Sequence, residues 1–344
     1  MSVTPGAIRF NTDSMKLEYF RIGTAGIGTL AAGEWVQITT DTPDVQTGGT
    51  RGVTAGGVPA PNFTAQTTMD YVNIATTGDA ITFGNLAESS WIGGGVSSRT
   101  RGIVAGGRTK DPIQVFTIAS TGDATDSGGN LVATNQREGF ATASDSTRGL
   151  FAGGGANPFS GGVINAISYV TMASLGDTVD FGDLTVARRE TSGVSNSTRG
   201  VFLGAFFSPN SGNTIDFVTI STLGNAADFG DLLEASNLAR AGLSNSVRGL
   251  VKQRTGGTID YITIATLGNA VEFGTTGTFR VSSATSSPTR GIFSGGYSSP
   301  SPQAPGDTID YVQIMSLGDA VDFGDLTQSR AYCVSVSNGH GGLG

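Results

Sequence analysis

Three stretches of this chain repeat nearly the same line of residues. Residues 258–274 read TIDYITIATLGNAVEFG, residues 214–230 read TIDFVTISTLGNAADFG, and residues 308–324 read TIDYVQIMSLGDAVDFG. Each line has an apolar run rich in β-branched and aromatic residues, then Gly-Asn or Gly-Asp, then a second short run. This pattern is typical of a β-hairpin. Fainter copies bring the hairpins to six, with turn glycines at Gly78, Gly122, Gly176, Gly224, Gly268 and Gly318.

A second motif alternates with the hairpins. It reads TRGVTAGG from Thr50 and TRGIVAGG from Thr100, and four further copies follow. A period near 50 residues with β patterning indicates a β-propeller in which each repeat is one four-stranded blade. The motif arginines are Arg51, Arg101, Arg148, Arg199, Arg248 and Arg290, at separations of 50, 47, 51, 49 and 42 residues.

The order of strands within a blade follows from the two motifs. The short run before TRG is the innermost strand a, the TRG run is strand b, and the hairpin supplies strands c and d. The last hairpin is followed by Ala331–Ser337, a strand a with no TRG after it. We therefore predict that Ala331–Ser337 pairs with Arg51–Gly57 and closes a ring of six blades, which removes exposed sheet edges.

Composition limits the classes of function. The 344 residues include 53 glycines and one cysteine, and only 14% are charged, with a net charge of −8. Without a basic run we expect no nucleic-acid binding, and a single cysteine excludes an intramolecular disulfide or a cysteine-based zinc cluster. The N-terminal MSVTPGAIRF lacks the apolar segment of a signal peptide, and no apolar stretch is long enough to span a membrane. We expect synthesis in a cytoplasm and no membrane insertion.

The repeats resemble known families. A double glycine on strand b and an aromatic residue on strand c resemble the kelch repeat, which implies a six-bladed kelch-like β-propeller. The wording TIDYITIATLGNAVEFG together with TRGxFAGG resembles repeats in structural proteins of tailed bacteriophages, notably those of cyanobacteria, over residues 50–338. Where kelch repeats carry a tryptophan near strand d, this chain has phenylalanine, at Phe83, Phe181, Phe229, Phe273 and Phe323.

The first 45 residues belong to no repeat. The pattern PGAIRFNTDSMKLEYF, followed by GEWVQI, resembles the short β motif of phage tail and fibre proteins, although RIGTAGIGTLAAGE separates Phe20 from Trp35. The resemblance implies an attachment or oligomerisation module at residues 1–45, ahead of a propeller at residues 46–344. It also implies docking to other virion proteins and a homo-oligomer, with a trimer as one form. The residues expected to build this module are Ile8, Phe10, Tyr19 and Trp35.

The residues with catalytic potential favour structural roles. His340, the single histidine, lies in NGHGGLG, where we expect a solvated tail. Cys333 falls in the predicted closing strand, where a buried thiol without a base is inert. Aspartates recur at equivalent blade positions, and we expect them to pair with the TRG arginines. These acids are Asp216, Asp260 and Asp310 on strand c, and Asp183, Asp231 and Asp325 after strand d.

The connections between strands b and c vary in length and sequence, whereas the a–b and c–d connections are short and uniform. Variable loops on a rigid scaffold are where binding residues concentrate. Two interpretations remain open for their aromatic residues: they pack onto the propeller face, or they stack on a sugar or a partner protein. The residues are Phe63, Phe159, Phe206, Phe207 and Tyr297.

The resemblance implies a virion protein, and the residues themselves favour a non-enzymatic binding module that needs no cofactor and no metal. We expect a fibre, a neck or tail appendage, or a tail-tip adhesin whose loops bind a virion partner or a host surface glycan. One alternative is a capsid decoration protein. The other is a carbohydrate-active propeller enzyme, which would require carboxylates to converge in the central channel or on one loop face.

Overall fold

The structure is a computed structural model that describes residues 7–11, 16–22, 33–37, 50–59, 64–107, 112–131, 137–156, 162–206, 211–236, 241–253, 257–277, 282–297 and 304–343. The chain divides into two compact units, Met1–Val45 and Gln46–Gly344. Both units are built from β-strands. In the described part of the chain the one helical segment is a 3₁₀ turn, Gly341–Leu343.

The first unit holds one antiparallel sheet of three strands in the order β1-β2-β3. The strands are β1 (Ile8–Asn11), β2 (Lys16–Ile22) and β3 (Gly33–Gln37).

The described residues of the second unit form six four-stranded antiparallel sheets arranged as a six-bladed β-propeller. The blades are numbered by their TRG motifs. The first thirteen strands of this unit are β4 (Arg51–Ala55), β5 (Thr68–Asn73), β6 (Ile81–Asn85), β7 (Gly94–Ser97), β8 (Arg101–Ala105), β9 (Pro112–Thr117), β10 (Thr125–Asn130), β11 (Arg137–Glu138), β12 (Ala141–Ser144), β13 (Arg148–Ala152), β14 (Gly155–Ala156), β15 (Ala166–Thr171) and β16 (Val179–Asp183). Strands β11 and β14 pair with each other in a separate two-stranded ribbon, and the others belong to blades 1 to 3.

Blades 4 to 6 follow the same plan, and the last strand of the chain belongs to blade 1. These strands are β17 (Ser192–Ser195), β18 (Arg199–Phe206), β19 (Ser211–Thr219), β20 (Ala227–Ser236), β21 (Ala241–Ser244), β22 (Arg248–Lys252), β23 (Thr258–Thr263), β24 (Val271–Thr275), β25 (Ser283–Ser286), β26 (Arg290–Tyr297), β27 (Pro305–Gln313), β28 (Val321–Asp325) and β29 (Val334–Ser337).

The predicted ring closure is confirmed. Strand β29 pairs antiparallel with β4, with Val334 opposite Ala55 and Ser337 opposite Gly52. Blade 1 therefore has the order β29-β4-β5-β6, in which only the innermost strand comes from the C-terminal end. The predicted order of strands a, b, c and d holds in all six sheets.

The hydrophobic core lies between blades. Six clusters of buried side chains each combine residues of two adjacent blades; one joins Val53 and Phe83 of blade 1 to Val104 and Phe116 of blade 2. The strand-d phenylalanines are 2–3% exposed, and each packs edge-on against the strand-c aromatic of its own blade, with ring centroids 5.9 to 6.2 Å apart. Strands b and c are buried on both faces, which explains why their sequences are almost continuously apolar.

The repeated Gly-Asp or Gly-Asn pair connects neighbouring blades. In blade 4 the Gly224 amide donates to the Phe181 carbonyl of blade 3, and the Asn225 carboxamide accepts from the Asp183 amide at 3.0 Å. The side-chain bond recurs at all six blade junctions, with Asp79, Asp123, Asp177, Asn269 and Asp319 as the other acceptors. The hairpin turn is therefore repeated because each copy fixes one junction.

We expect Gly182→Ala to destabilise the propeller more than Gly224→Ala. Both glycines have positive φ, 148° and 152°. A Cβ at Gly182 would overlap the Gly224 carbonyl oxygen of the next blade, whereas a Cβ at Gly224 meets nothing within 4 Å. Both substitutions strain the backbone to a similar degree. The steric clash should therefore lower the free energy of unfolding of Gly182→Ala by roughly 1–3 kcal/mol more than that of Gly224→Ala. Urea unfolding of both variants measures this difference, and equal losses would show that the junction tolerates the extra methyl group.

Candidate functional site

The TRG arginines do not pair with the repeated acids, so that prediction was wrong. Arg51, at the start of strand b, lies opposite Asn73, whereas Asp70 lies opposite Thr54, three residues further along the strand and about 10 Å away. Five of the arginines instead stack on the strand-c aromatic of their own blade, with Cζ 4.6 to 5.0 Å from the ring centroid. All six donate to a backbone carbonyl of the next blade, at Ile118, Met172, Ile220, Ile264, Ile314 and Ile74.

The strand-c acids of blades 1 and 4 pair with a different set of arginines. Arg330 Nη2 lies 2.6 Å from Asp70 Oδ2, and Arg188 Nη2 lies 3.0 Å from Asp216 Oδ2; all four side chains are fully buried. These arginines precede strand a of the same blade. Burial lowers the pKa of Arg188, and the charge of Asp216 opposes that shift.

Each of these two acids also receives hydrogen bonds from the preceding blade. The Thr327 hydroxyl donates to Asp70 Oδ1 and the Thr185 hydroxyl to Asp216 Oδ1, both at 2.7 Å. In blade 6 Asp310 accepts from Thr276 Oγ1 at 2.8 Å. The strand-c acids therefore join neighbouring blades where the d–a connection of one begins.

The acids after strand d lie on the outer strands of three different blades. The side chain of Asp183 is half-buried, and those of Asp231 and Asp325 are exposed. Their backbone amides donate to the hairpin-turn side chains of the next blade, at Asn225, Asn269 and Asp79. This spacing places no pair of them in one site.

The innermost strands enclose a central channel. At one end of the channel the last residue of each strand a is a serine whose hydroxyl donates to the carbonyl of the corresponding serine in the preceding blade, at 2.5 to 3.3 Å. The six bonds form a closed ring. Its members are Ser97, Ser144, Ser195, Ser244, Ser286 and Ser337.

The C-terminal segment enters the channel beside this serine ring. His340 Nε2 lies 2.9 Å from the Ser97 carbonyl oxygen and 3.3 Å from Ser144 Oγ, so the expectation of a solvated tail was wrong. The glycines make this fit possible, since a Cβ at Gly342 would overlap the Ser144 carbonyl. Arg99 donates to the Leu343 carbonyl. Burial lowers the pKa of His340, which favours a neutral ring that takes part in hydrogen bonds.

The channel lining is small and polar. The cavity inside it has a volume of about 120 Å³. The titratable side chains among its described lining residues are Tyr332, Cys333 and His340, and no carboxylate is among them. Cys333 precedes the closing strand and contacts the Gly56 carbonyl oxygen at 3.5 Å. Burial raises the pKa of its thiol to about 11, which disfavours the nucleophilic thiolate.

The aromatic residues expected on the loop face fall into two groups. Phe63, Phe159 and Phe207 lie outside the described residues, and Phe206 ends strand β18 with its side chain outside the description. Tyr297 is not a loop residue, because β26 and β27 extend far enough for it to pair with Pro305. It is 5% exposed and packs edge-on against Tyr332 in a cluster with Val58 and Ala331 beside the closing strand.

The four residues expected in the N-terminal module all lie on its sheet. Ile8 and Tyr19 are opposite each other on β1 and β2, so they share a face, and Ile8 is 65% exposed. Trp35 pairs with Phe20, the neighbour of Tyr19, and therefore lies on the other face, where Arg9 stacks over its ring at 4.2 Å. Phe10 is in β1 opposite Leu17, and its side chain lies outside the description.

Blade 5 departs from the repeat. Where four of the other five copies of strand b continue with small residues, it reads VRGLVKQR, which places Lys252 and Gln253 at buried positions. The Lys252 ammonium lies 5.9 Å from the centroid of the Phe293 ring of blade 6. Burial lowers the pKa of Lys252 to about 8, against the effect of Asp310. The sequence shows this departure, but it does not show that both side chains are buried.

Comparisons with known proteins add no family assignment. No family model matches the chain, and no curated protein matches it. Among the described residues, no helix is both long enough and apolar enough to cross a membrane.

Proposed function

We propose that this chain is a non-enzymatic structural protein of a tailed-phage virion, displayed as a fibre, a neck or tail appendage, or a tail-tip adhesin. The observation that carries the proposal is the role of the repeated polar residues. The TRG arginines, the turn aspartates and asparagines, and the strand-c acids of blades 1, 4 and 6 are engaged in contacts between or within blades. Residues used in this way support a rigid ring that serves as a scaffold.

The two units suggest a division of labour. The N-terminal sheet is a compact unit of its own and carries an exposed Ile8 beside Tyr19. We assign it to docking on another virion protein. The propeller would present its b–c and d–a connections to a virion partner or to a host surface glycan. The sequence resemblance to phage repeats supports a place for the chain in a phage particle. The variable connections support a binding role for the face on which they lie.

Removal of residues 1–45 is expected to abolish incorporation into phage particles without unfolding the propeller. The measurement is the amount of chain in purified particles, by mass spectrometry, for the full chain and for residues 46–344. Thermal unfolding of the truncated protein is the control for its integrity.

Phe206→Ala in the full chain serves as the matched variant. It should be incorporated normally and lose only binding to glycan or partner, if the loop face is used. Incorporation of residues 46–344 at the level of the full chain would contradict the docking role of the N-terminal sheet.

A further inference from the structure

The strand-c acid of blade 5 lacks the partners that its counterparts have. Asp70 and Asp216 each receive a threonine hydroxyl and a buried arginine. In blade 5, Leu233 stands where those blades have the threonine. Arg188 and Arg330 each lie seven residues before the ring serine of their blade, and the sequence has Asn237 at that spacing from Ser244. Asn237 itself lies outside the described residues.

These substitutions leave buried acceptors without donors. Asp260 Oδ2 accepts from Gln253 Nε2 at 2.8 Å and from the Leu233 amide at 3.4 Å. Within the described part of the chain, Asp260 Oδ1 and Gln253 Oε1 have no hydrogen-bond partner, although the two residues are 1% and 5% exposed. Buried acceptors without donors are costly in free energy, and an unpaired buried carboxylate is more so. The site therefore favours a cation with N–H groups.

The backbone around Asp260 matches the backbone that binds arginine in blade 1. Besides Asp70, Arg330 donates to the Thr68 carbonyl at 2.6 Å and to the Thr54 carbonyl at 3.4 Å. Thr54 lies opposite Asp70 on strand b, as Val251 lies opposite Asp260. Thr68 precedes Asp70 by two residues, as Thr258 precedes Asp260. Blade 5 thus keeps the carbonyl positions of an arginine site.

We propose that Asp260, Gln253 and the carbonyls of Val251 and Thr258 form a binding site for a guanidinium group supplied by another molecule, such as an arginine side chain. A planar guanidinium has five N–H donors and matches a carboxylate with neighbouring carbonyl acceptors. Lys252 does not fill this role, because its ammonium lies over Phe293 and acts on Asp310. The proposal holds whether or not the protein belongs to a virion.

The site lies where the b–c and d–a connections begin. Gln253 directly follows strand β22, and the Leu233 amide that contacts Asp260 lies near the end of strand β20 of blade 4, before the d–a connection. Burial raises the pKa of Asp260, and the charges of Glu234 and Glu272 act in the same direction. These acidic neighbours also favour a cationic ligand over a neutral one.

Guanidinium ion is the probe for this site, at concentrations far below those that denature proteins. The wild-type unfolding temperature is expected to rise, and to saturate, by about 2 °C when the ion is at ten times its dissociation constant. Sodium chloride and urea at the same concentrations should give no such rise. Asp260→Asn should remove it. An equal rise in wild type and Asp260→Asn, or no rise in wild type, overturns the proposal.

A second set of variants keeps the test independent of the folding of Asp260→Asn. Asn237→Arg supplies an arginine at the spacing seen in blades 1 and 4, so it should raise the unfolding temperature and abolish the response to guanidinium. Arg240→Ala and Arg254→Ala should respond as wild type does. If either alanine variant responds while wild type does not, the guanidinium comes from this chain and the external ligand is excluded.

Discussion

A chain that ends at Tyr332 is expected to lose the propeller fold, whereas a chain that ends at Asn338 is expected to keep it. The shorter chain lacks β29, which supplies the innermost strand of blade 1. It also lacks Ser337, so the ring of serine hydrogen bonds is broken at two places. Strand β4 would then expose an unpaired edge toward the channel, which invites aggregation.

The free energy lost on removing β29 is expected to be large compared with the total free energy of unfolding of a protein. Val334 and Val336 are 4% and 5% exposed and pack in the cluster between blades 1 and 2. Their removal costs about 1.5–3 kcal/mol each, before the lost strand pairing is counted, against a typical total of about 5–15 kcal/mol. The shorter chain should therefore be insoluble or should unfold without a cooperative transition. Circular dichroism and calorimetry of the two chains measure the difference.

The chain that ends at Asn338 controls for the loss of the C-terminal segment alone. It keeps β29 and Ser337, and loses residues 339–344, with the contacts of His340 to Ser97 and Ser144 and the bond from Arg99 to the Leu343 carbonyl. A modest drop in unfolding temperature is expected. If the two truncated chains unfold at the same temperature, closure by β29 contributes nothing and the ring is held by blade junctions alone.

The ring could be predicted from sequence because its evidence is periodic. Six copies of TRG and of the hairpin define four strands per blade, and the unpaired C-terminal strand predicts the closure. The roles of individual polar residues were harder to predict. Arg330 and Arg188 lie in d–a connections that share the pattern GDLTxxR, but only these two copies carry it, so the six-fold repeat of TRG points to the TRG arginines as partners of the acids. The register between strands b and c rules out this pairing, because it places the acids and the TRG arginines at opposite ends of their strands.

The candidate sites were predicted less well than the fold. Tyr297 was expected in a b–c loop, either packed on the propeller face or free to stack on a ligand, but strands β26 and β27 extend through this position and bury it. His340 was expected in solvent, but three nearby glycines let the chain follow the backbone of the serine ring. Both outcomes depend on where a strand ends or how closely two backbones approach, and neither leaves a periodic signal. The departure of blade 5 is visible as VKQR, yet the missing partners of Asp260 become apparent only when the blades are superposed in register.

Asp216→Asn is expected to destabilise the propeller by about 3–5 kcal/mol, since it removes one member of a fully buried ion pair. Arg188 would keep its charge in a site where burial already lowers its pKa. Its Nε and Nη1 atoms have no hydrogen-bond partner, so little else compensates for the lost carboxylate. The measurement is urea unfolding at neutral pH, with the slope of the transition compared between wild type and variant.

The same substitution at the equivalent position of blade 5, Asp260→Asn, is expected to leave stability unchanged or to raise it slightly. Asp260 has no cation partner among the described residues, and burial raises its pKa. A carboxyl with a raised pKa in the folded state lowers stability at pH values above its unfolded pKa, and this penalty fades as the pH falls. Asparagine removes the charge and keeps an oxygen that accepts from Gln253 Nε2. It also adds an N–H group next to the side-chain amide of Gln253. A loss for Asp260→Asn as large as that for Asp216→Asn would show that Asp260 already has a cation partner, and the guanidinium site would then be occupied by this chain itself.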